Sequence, residues 1–206
     1  ISFCLADQAK LEKVNIQGTG NVLQAASQAG VKNFYHISSV AALGYGDDKH
    51  APINENFKFN WKIARRNKKF YMLTKHLADL EVNKYRDEQM KCCVLYPGLM
   101  LGPGDLINSA KLVKAISQRK IPFNMPGGTN VVDVRDVAKG ITLAVKNNIG
   151  NKDILLSGKN LTFKEINLII ANKLGIKPPG PTLPRFLSPL LCPTLMTIEK
   201  LKPGIE

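Results

Sequence analysis

The chain has 206 residues, 44% of them hydrophobic and 22% charged, the composition of a soluble globular protein long enough to bury a sizeable core. Collagen-like, disulfide-scaffold and disordered classes are excluded. Lys plus Arg outnumber Asp plus Glu 29 to 16, a formal net charge of +13, which suits an anionic ligand but does not by itself choose a partner.

No stretch approaches the roughly 18 uncharged apolar residues of a membrane span, and no basic segment leads into an apolar run with a small-residue cleavage site. The expectation is a cytoplasmic protein with no membrane partner. Cys4, Cys92, Cys93 and Cys192 contain one adjacent pair and no C-x-x-C, so they are read as reduced, mostly buried thiols rather than a disulfide framework or a metal site. His36, His50 and His76 lack metal-ligand spacing as well.

Taken in order, the chain opens at Ile1 with what reads as the tail of a strand. Residues 8–29 carry Leu11, Val14, Val22 and Ala26 at helical spacing, and Gly30 stands where a left-handed C-cap belongs. A short apolar strand is expected over 31–38, then a Gly- and Asp-containing loop over 41–52. Lys58, Lys62, Arg65, Arg66, Lys68 and Lys69, interleaved with Phe57, Phe59 and Trp61, form the densest basic stretch. It is read as a solvated loop rather than a nucleic-acid site, since no nucleic-acid motif accompanies it.

Helical spacing returns over 71–85 through Leu73, Leu77, Leu80 and Val82, and 92–96 is an apolar run halted by Pro97. A strand over 131–134, a helix over 137–145 capped by Asp136, and a strand over 154–156 follow. Thr162 and Glu165 form a capping box that opens a helix running to Gly175. Six prolines between Pro178 and Pro193 then break the pattern, and 186–195 reads as a packing segment or subunit contact. Alternating strands and helices predict an α/β sheet with crossover helices.

A tyrosine becomes a useful acid or base when its pKa falls from about 10 toward neutrality, roughly 4 kcal/mol that a nearby ammonium can supply. Tyr45 with Lys49 and Tyr71 with Lys75 both have the four-residue spacing. The first pair lies in a loop, where that spacing implies no shared face; the second opens an amphipathic helix that projects both side chains one way. Ser38 and Ser39 end a core strand, where α/β sheets present side chains to a ligand crevice. The plainer reading of those serines is that they satisfy local backbone groups.

Val14-Asn15-Ile16-Gln17-Gly18-Thr19-Gly20-Asn21-Val22-Leu23, Gly30-Val31-Lys32-Asn33-Phe34 and Ser38-Ser39-Val40-Ala41-Ala42-Leu43-Gly44 are followed by the Tyr71 to Lys75 pair. Tyr96-Pro97-Gly98-Leu99-Met100-Leu101-Gly102-Pro103-Gly104-Asp105 and Val131-Val132-Asp133-Val134-Arg135-Asp136-Val137-Ala138 complete the series. In that order the blocks resemble the extended short-chain dehydrogenase/reductase family, in particular the dihydroflavonol-reductase-like and hydroxysteroid-dehydrogenase-like members of the NAD-dependent epimerase/dehydratase group.

The resemblance implies a Rossmann-type doubly wound parallel sheet that binds NAD or NADP. Its division would be residues 1–97 in the cofactor domain, 98–177 as a mixed segment with a substrate region and a returning strand, and a Pro-rich 178–206. It implies that Ser39 hydrogen-bonds the reacting oxygen, that Tyr71 is the general acid/base, and that Lys75 contacts the nicotinamide ribose and tunes the tyrosine. Asn15 would support the site, while Leu5, Ala6, Ser38, Pro97, Gly98 and Leu99, together with Tyr71 and Lys75, would line the cofactor.

The implied reaction is hydride transfer between nicotinamide and a carbonyl or secondary alcohol of a small molecule, with a family tendency to homodimers. The alternatives are a nucleotide-sugar epimerase or dehydratase and, from another class, a non-catalytic NAD(P)-binding regulator or scaffold. The family's G-x-x-G-x-x-G loop is absent, and Gly18-Thr19-Gly20 lies within a helical stretch. Two explanations stand for that gap: the first βαβαβ portion, on the order of 60 residues, lies outside this sequence, leaving a fragment that is inactive by itself, or the protein has lost cofactor binding; the fragment is the expectation.

Overall fold

A computed structural model describes residues 8–44, 53–66, 69–105 and 109–184. In chain order these form α1 (Gln8–Leu11), a π-helical segment Glu12–Gln17, α2 (Gly18–Gln28), β1 (Asn33–Ile37), a 3₁₀ turn Val40–Leu43, α3 (Trp61–Arg66), α4 (Phe70–Asn83) and β2 (Lys91–Pro97). Then come β3 (Leu99–Leu101), α5 (Ser109–Ser117), β4 (Gly128–Asp133), α6 (Val134–Lys146), β5 (Asp153–Leu156), β6 (Lys159–Thr162) and α7 (Phe163–Lys173). The chain divides into two compact units, one of residues up to Met100 with Val132–Gly158, the other of Leu101–Val131 with residues from Lys159 onward.

The first unit is built on a parallel sheet ordered β1-β2-β5. Parallel strands require crossovers and are covered on both faces, and β2 shows why its sequence is an unbroken apolar run. Cys92, Val94 and Tyr96 face one side, where they pack with Leu23, Val82, Ala42 and Leu43. Cys93 and Leu95 face the other, against Ala144. All five are at most 4% exposed, and at about 25 cal/mol per Å² such burial supplies the main drive for the sheet.

The helix over residues 8–28 runs through its centre in π geometry, with the Gly18 amide reaching back five residues to the Lys13 carbonyl. Gly30, at φ 70°, ends it as expected of a left-handed C-cap. Gly18-Thr19-Gly20 is helical.

Several local expectations are corrected. Val40–Leu43 is a 3₁₀ turn rather than loop, because the Ser39 hydroxyl accepts from the Ala41 amide and caps it. Trp61–Arg66 is helical rather than a solvated loop. Asp133, not Asp136, caps α6: its carboxylate accepts from the Arg135 amide at 2.8 Å, so the helix starts three residues earlier. The expected strand near 131–134 correspondingly begins at Gly128 and ends at Asp133. Pro97 is the last residue of β2 rather than a stop before it.

In the second unit β4 pairs antiparallel with β6, and α5 packs on α7. Thr162 and Glu165 complete the capping box at the start of α7. The fully buried Asn124 anchors this unit by donating to the Gly180 carbonyl and accepting from Asn167. Cys4, Leu5, Ala6, His50, Cys192, the Tyr45–Lys49 pair and the 186–195 segment lie outside the described residues.

Candidate active site

The strands of a parallel sheet point their carboxyl ends to one edge, and there ligands of such sheets bind. β1 ends at Ile37 and runs into Ser38 and Ser39; β2 ends at Pro97 and runs into Gly98 and Leu99. Pro97 and Gly98 are buried, Leu99 is exposed, and the Gly98 amide donates to the Leu156 carbonyl at the end of β5. Ser38 is buried, and among the described residues its hydroxyl has no hydrogen-bond partner. A buried orphan hydroxyl is uncommon and needs an explanation; at this edge it fits a polar ligand.

α4 brings Lys75 to the same edge, with Tyr71 one turn before it on the helix. Both are half-buried and one turn apart, as an i, i+4 pair on a helix requires. The Lys75 Nζ donates to the Ile37 carbonyl at 3.3 Å, which sets the ammonium beside the Ser38–Ser39 corner. Burial pushes the Lys75 ammonium below its ordinary value, and the nearby Asp79 carboxylate pulls it back up.

Asn15 sits in the π-helical segment, a local widening often found at functional sites. Its amide does not bond to its own backbone: it donates to the Thr74 hydroxyl at 3.0 Å, and that hydroxyl donates to the Tyr71 carbonyl at 3.1 Å. The sequence reading missed Thr74; its place three residues after Tyr71 on the helix was the available signal. Asn15 thus acts on α4 through Thr74.

Ser39 uses its oxygen to cap the 3₁₀ turn, the local role that strand-ending serines often have. Accepting that bond leaves its hydroxyl proton to donate. Below this level, Asp79 is 4% exposed, and its Oδ1 stands 3.5 Å from His36 Nε2. Burial, with Asp79 alongside, pushes the Tyr96 phenol far up. Among the described residues no cluster of three His, Cys, Asp or Glu side chains could hold a metal.

A nicotinamide cofactor implied by this fold can be tested against these residues. The orphan Ser38 hydroxyl, the Lys75 ammonium and the Pro97–Gly98 corner suit a nicotinamide ribose at the sheet edge. The chain contains no glycine-rich loop for the pyrophosphate.

Residues 2–156 match the model of the NAD dependent epimerase/dehydratase family. A Synechocystis protein named as a dihydroflavonol 4-reductase is 27% identical over 188 residues, covering 88% of this chain and 53% of the relative. A 3beta-hydroxysteroid-dehydrogenase/decarboxylase, isoform 2, of Arabidopsis thaliana is 26% identical, covering 84% of this chain and 33% of the relative. The crystal structure of gox2253 superposes with a TM-score of 0.79 at 26% identity, covering 98% of this chain and 61% of that one. The chain spans about half the length, or less, of the curated relatives it matches. With its parallel Rossmann-type sheet and crossover helices, the chain belongs to the NAD dependent epimerase/dehydratase family.

Proposed function

We propose that the protein is an NAD(P)-dependent oxidoreductase that moves a hydride between nicotinamide and a carbonyl or secondary alcohol of a small molecule. Dihydroflavonol-like or hydroxysteroid-like compounds are the first substrate classes to consider, on the names of the relatives. The observation that carries this reading is the Lys75–Ile37 hydrogen bond, which supports placing the Tyr71–Lys75 pair at the sheet edge where Ser39 lies.

In the reducing direction the cofactor supplies the hydride, and the protein's residues handle the oxygen. Ser39 donates a hydrogen bond to the substrate carbonyl, polarising it where negative charge develops. As the carbon gains the hydride, the C=O π pair moves to oxygen, and that oxygen takes the Tyr71 phenol proton. The Lys75 ammonium stabilises the phenolate that results. Asn15, through Thr74, holds the Tyr71 end of α4 in place. Oxidation runs the same steps in reverse.

Support for a cytoplasmic setting comes from Cys92 and Cys93, adjacent, free and buried. The competing reading is nucleotide-sugar epimerisation or dehydration, which starts with the same hydride step; it is favoured by the exposed Lys58, Lys62, Arg65 and Lys69 on and around α3, a field that draws anions. A substrate screen of dihydroflavonols, 3β-hydroxysteroids and nucleotide sugars with NAD and NADP separates the two. Tyr71→Phe in the intact protein is expected to lower turnover by at least about a hundredfold. Retained turnover in that variant overturns the reading.

A further inference from the structure

Consecutive residues of α4 grip the chain on either side of Ser39. Lys75 donates to the Ile37 carbonyl, two residues before it, and His76 Nδ1 lies 3.1 Å from the Ala42 carbonyl, three residues after it. A carbonyl oxygen only accepts, so Nδ1 carries the proton and Nε2 remains an acceptor.

The imidazole is itself held. Phe59 stacks on it with ring centroids 3.9 Å apart and planes 7° from parallel. Trp61 meets both rings edge-on at 5.0 Å, and the Arg65 guanidinium lies 5.1 Å over the Trp61 ring. The same Phe59 ring also closes the far end of the turn. Gly44 has φ +87°, and Phe59 Cδ2 is 3.0 Å from where a Cβ on Gly44 would stand. Burial pushes the His76 imidazole below its ordinary 6.5, outweighing the Ala42 bond and the Asp79 charge that pull the other way. Near neutral pH the ring is therefore uncharged within the stack.

We infer that His76 is a positioning residue: through its Nδ1 bond to the Ala42 carbonyl it clamps the turn that follows Ser39 onto α4 and so holds the Ser39 hydroxyl on the side where Lys75 reaches the end of β1. The inference rests on the site reading above. Two substitutions separate the hydrogen bond from the ring. His76→Asn keeps a donor, since an asparagine Nδ2 stands where Nδ1 did, but loses the ring; His76→Phe keeps the ring and loses the donor.

The test compares both variants with the parent in the intact protein. Amide hydrogen exchange is read at Ala42 and Gly44, whose amides bond to the Ser39 and Ala41 carbonyls. Turnover is read with a dihydroflavonol and NADPH and with a 3β-hydroxysteroid and NAD. His76→Phe is expected to speed exchange at both amides by about tenfold or more, with Cys93 and Val94 in β2 unchanged. It should also lower kcat by about tenfold with KM within about twofold. His76→Asn is expected to return both readings to within about threefold of the parent. Emission from Trp61, the single tryptophan, checks that the aromatic cluster persists in His76→Phe.

The inference is overturned if His76→Phe exchanges and turns over like the parent, or if His76→Asn is no better than His76→Phe. Tyr71→Phe, assayed alongside, separates the two levels. If it loses turnover while His76→Phe does not, only the clamp falls; if it keeps turnover, the site reading falls and the positioning role with it.

Discussion

The Lys75 Nζ donates to the Ile37 carbonyl at 3.3 Å, tying the middle of α4 to the end of β1. This places an ammonium in a half-buried setting for which folding provides little compensation. Burial is the dominant influence on its pKa and acts downward; Asp79 opposes it only in part.

From that sign follows a trade between stability and activity at Lys75. A lysine whose folded pKa lies below its ordinary 10.5 binds fewer protons folded than unfolded in the alkaline window just under that value. Stability therefore rises with pH there. Below the window the full penalty of burying the charge is present, so Lys75→Met is expected to raise the melting temperature at pH 7 or leave it unchanged. The gain should shrink toward pH 10.5 while turnover is lost. A melting series from pH 7 to 10.5 checks it, and a variant that melts lower at pH 7 contradicts it.

Asp79 is expected to be a structural keystone under the site. Its carboxylate is buried beside the Tyr96 phenol and faces His36 Nε2. Asp79→Ala opens a cavity there and leaves these two polar side chains facing it, at a cost of about 1–3 kcal/mol for the polar groups with the cavity in addition. A loss of about 3 kcal/mol should lower the melting temperature of a protein this size by about 6–12 °C. Asp79→Asn keeps the volume and polarity of the side chain and should lose less than half as much. Equal losses in the two variants would remove the cavity beside Tyr96 and His36 as the cause.

How much of this was legible in the chain depends on how local each cause is. The capping box at Thr162 and Glu165 is a four-residue interaction, Gly30 needs only its own φ, and the apolar run of β2 follows from two-sided burial; each could be read without tertiary knowledge. Asp133 and Asp136 are both good caps, and the choice between them is made by where β4 lets go. Strands as short as β3 and β6 carry no usable period, and the π-helical segment depends on packing against α4. The Tyr71–Lys75 pair could be read from helical spacing, but Asn15 finds Thr74 across 59 residues. The Phe59–His76 stack likewise joins residues far apart in the chain, and no pattern in either segment announces it.

Gly44 offers a backbone probe of the corner that follows Ser39. At φ 87° and ψ −152° it occupies a region essentially closed to side-chain-bearing residues. A Cβ there would stand 3.0 Å from Phe59 Cδ2. Gly44→Ala should cost about 1–3 kcal/mol from strain, with added displacement of the aromatic ring visible as a shift in Trp61 emission. Calorimetric melting and fluorescence test this together; an alanine variant that melts and emits like the parent would mean the turn relaxes freely.

The last expectation concerns the cofactor. On the proposed reading the nicotinamide end would be held by Ser38, whose hydroxyl has no partner among the described residues, by Lys75 and by the Pro97–Gly98 corner. The pyrophosphate carries formal negative charge that members of such folds neutralise with a glycine-rich turn and a helix N-terminus. No glycine-rich turn of that kind is present in these 206 residues, and Gly18-Thr19-Gly20 is consumed inside a helix, with the Gly18 amide already given to Lys13. The 206-residue chain alone is therefore expected to bind NAD(P)H with a Kd weaker than about 100 µM, under about 5.5 kcal/mol of binding free energy. Titration calorimetry with both cofactors decides it, and micromolar binding by this chain would mean that another set of backbone amides cradles the phosphates.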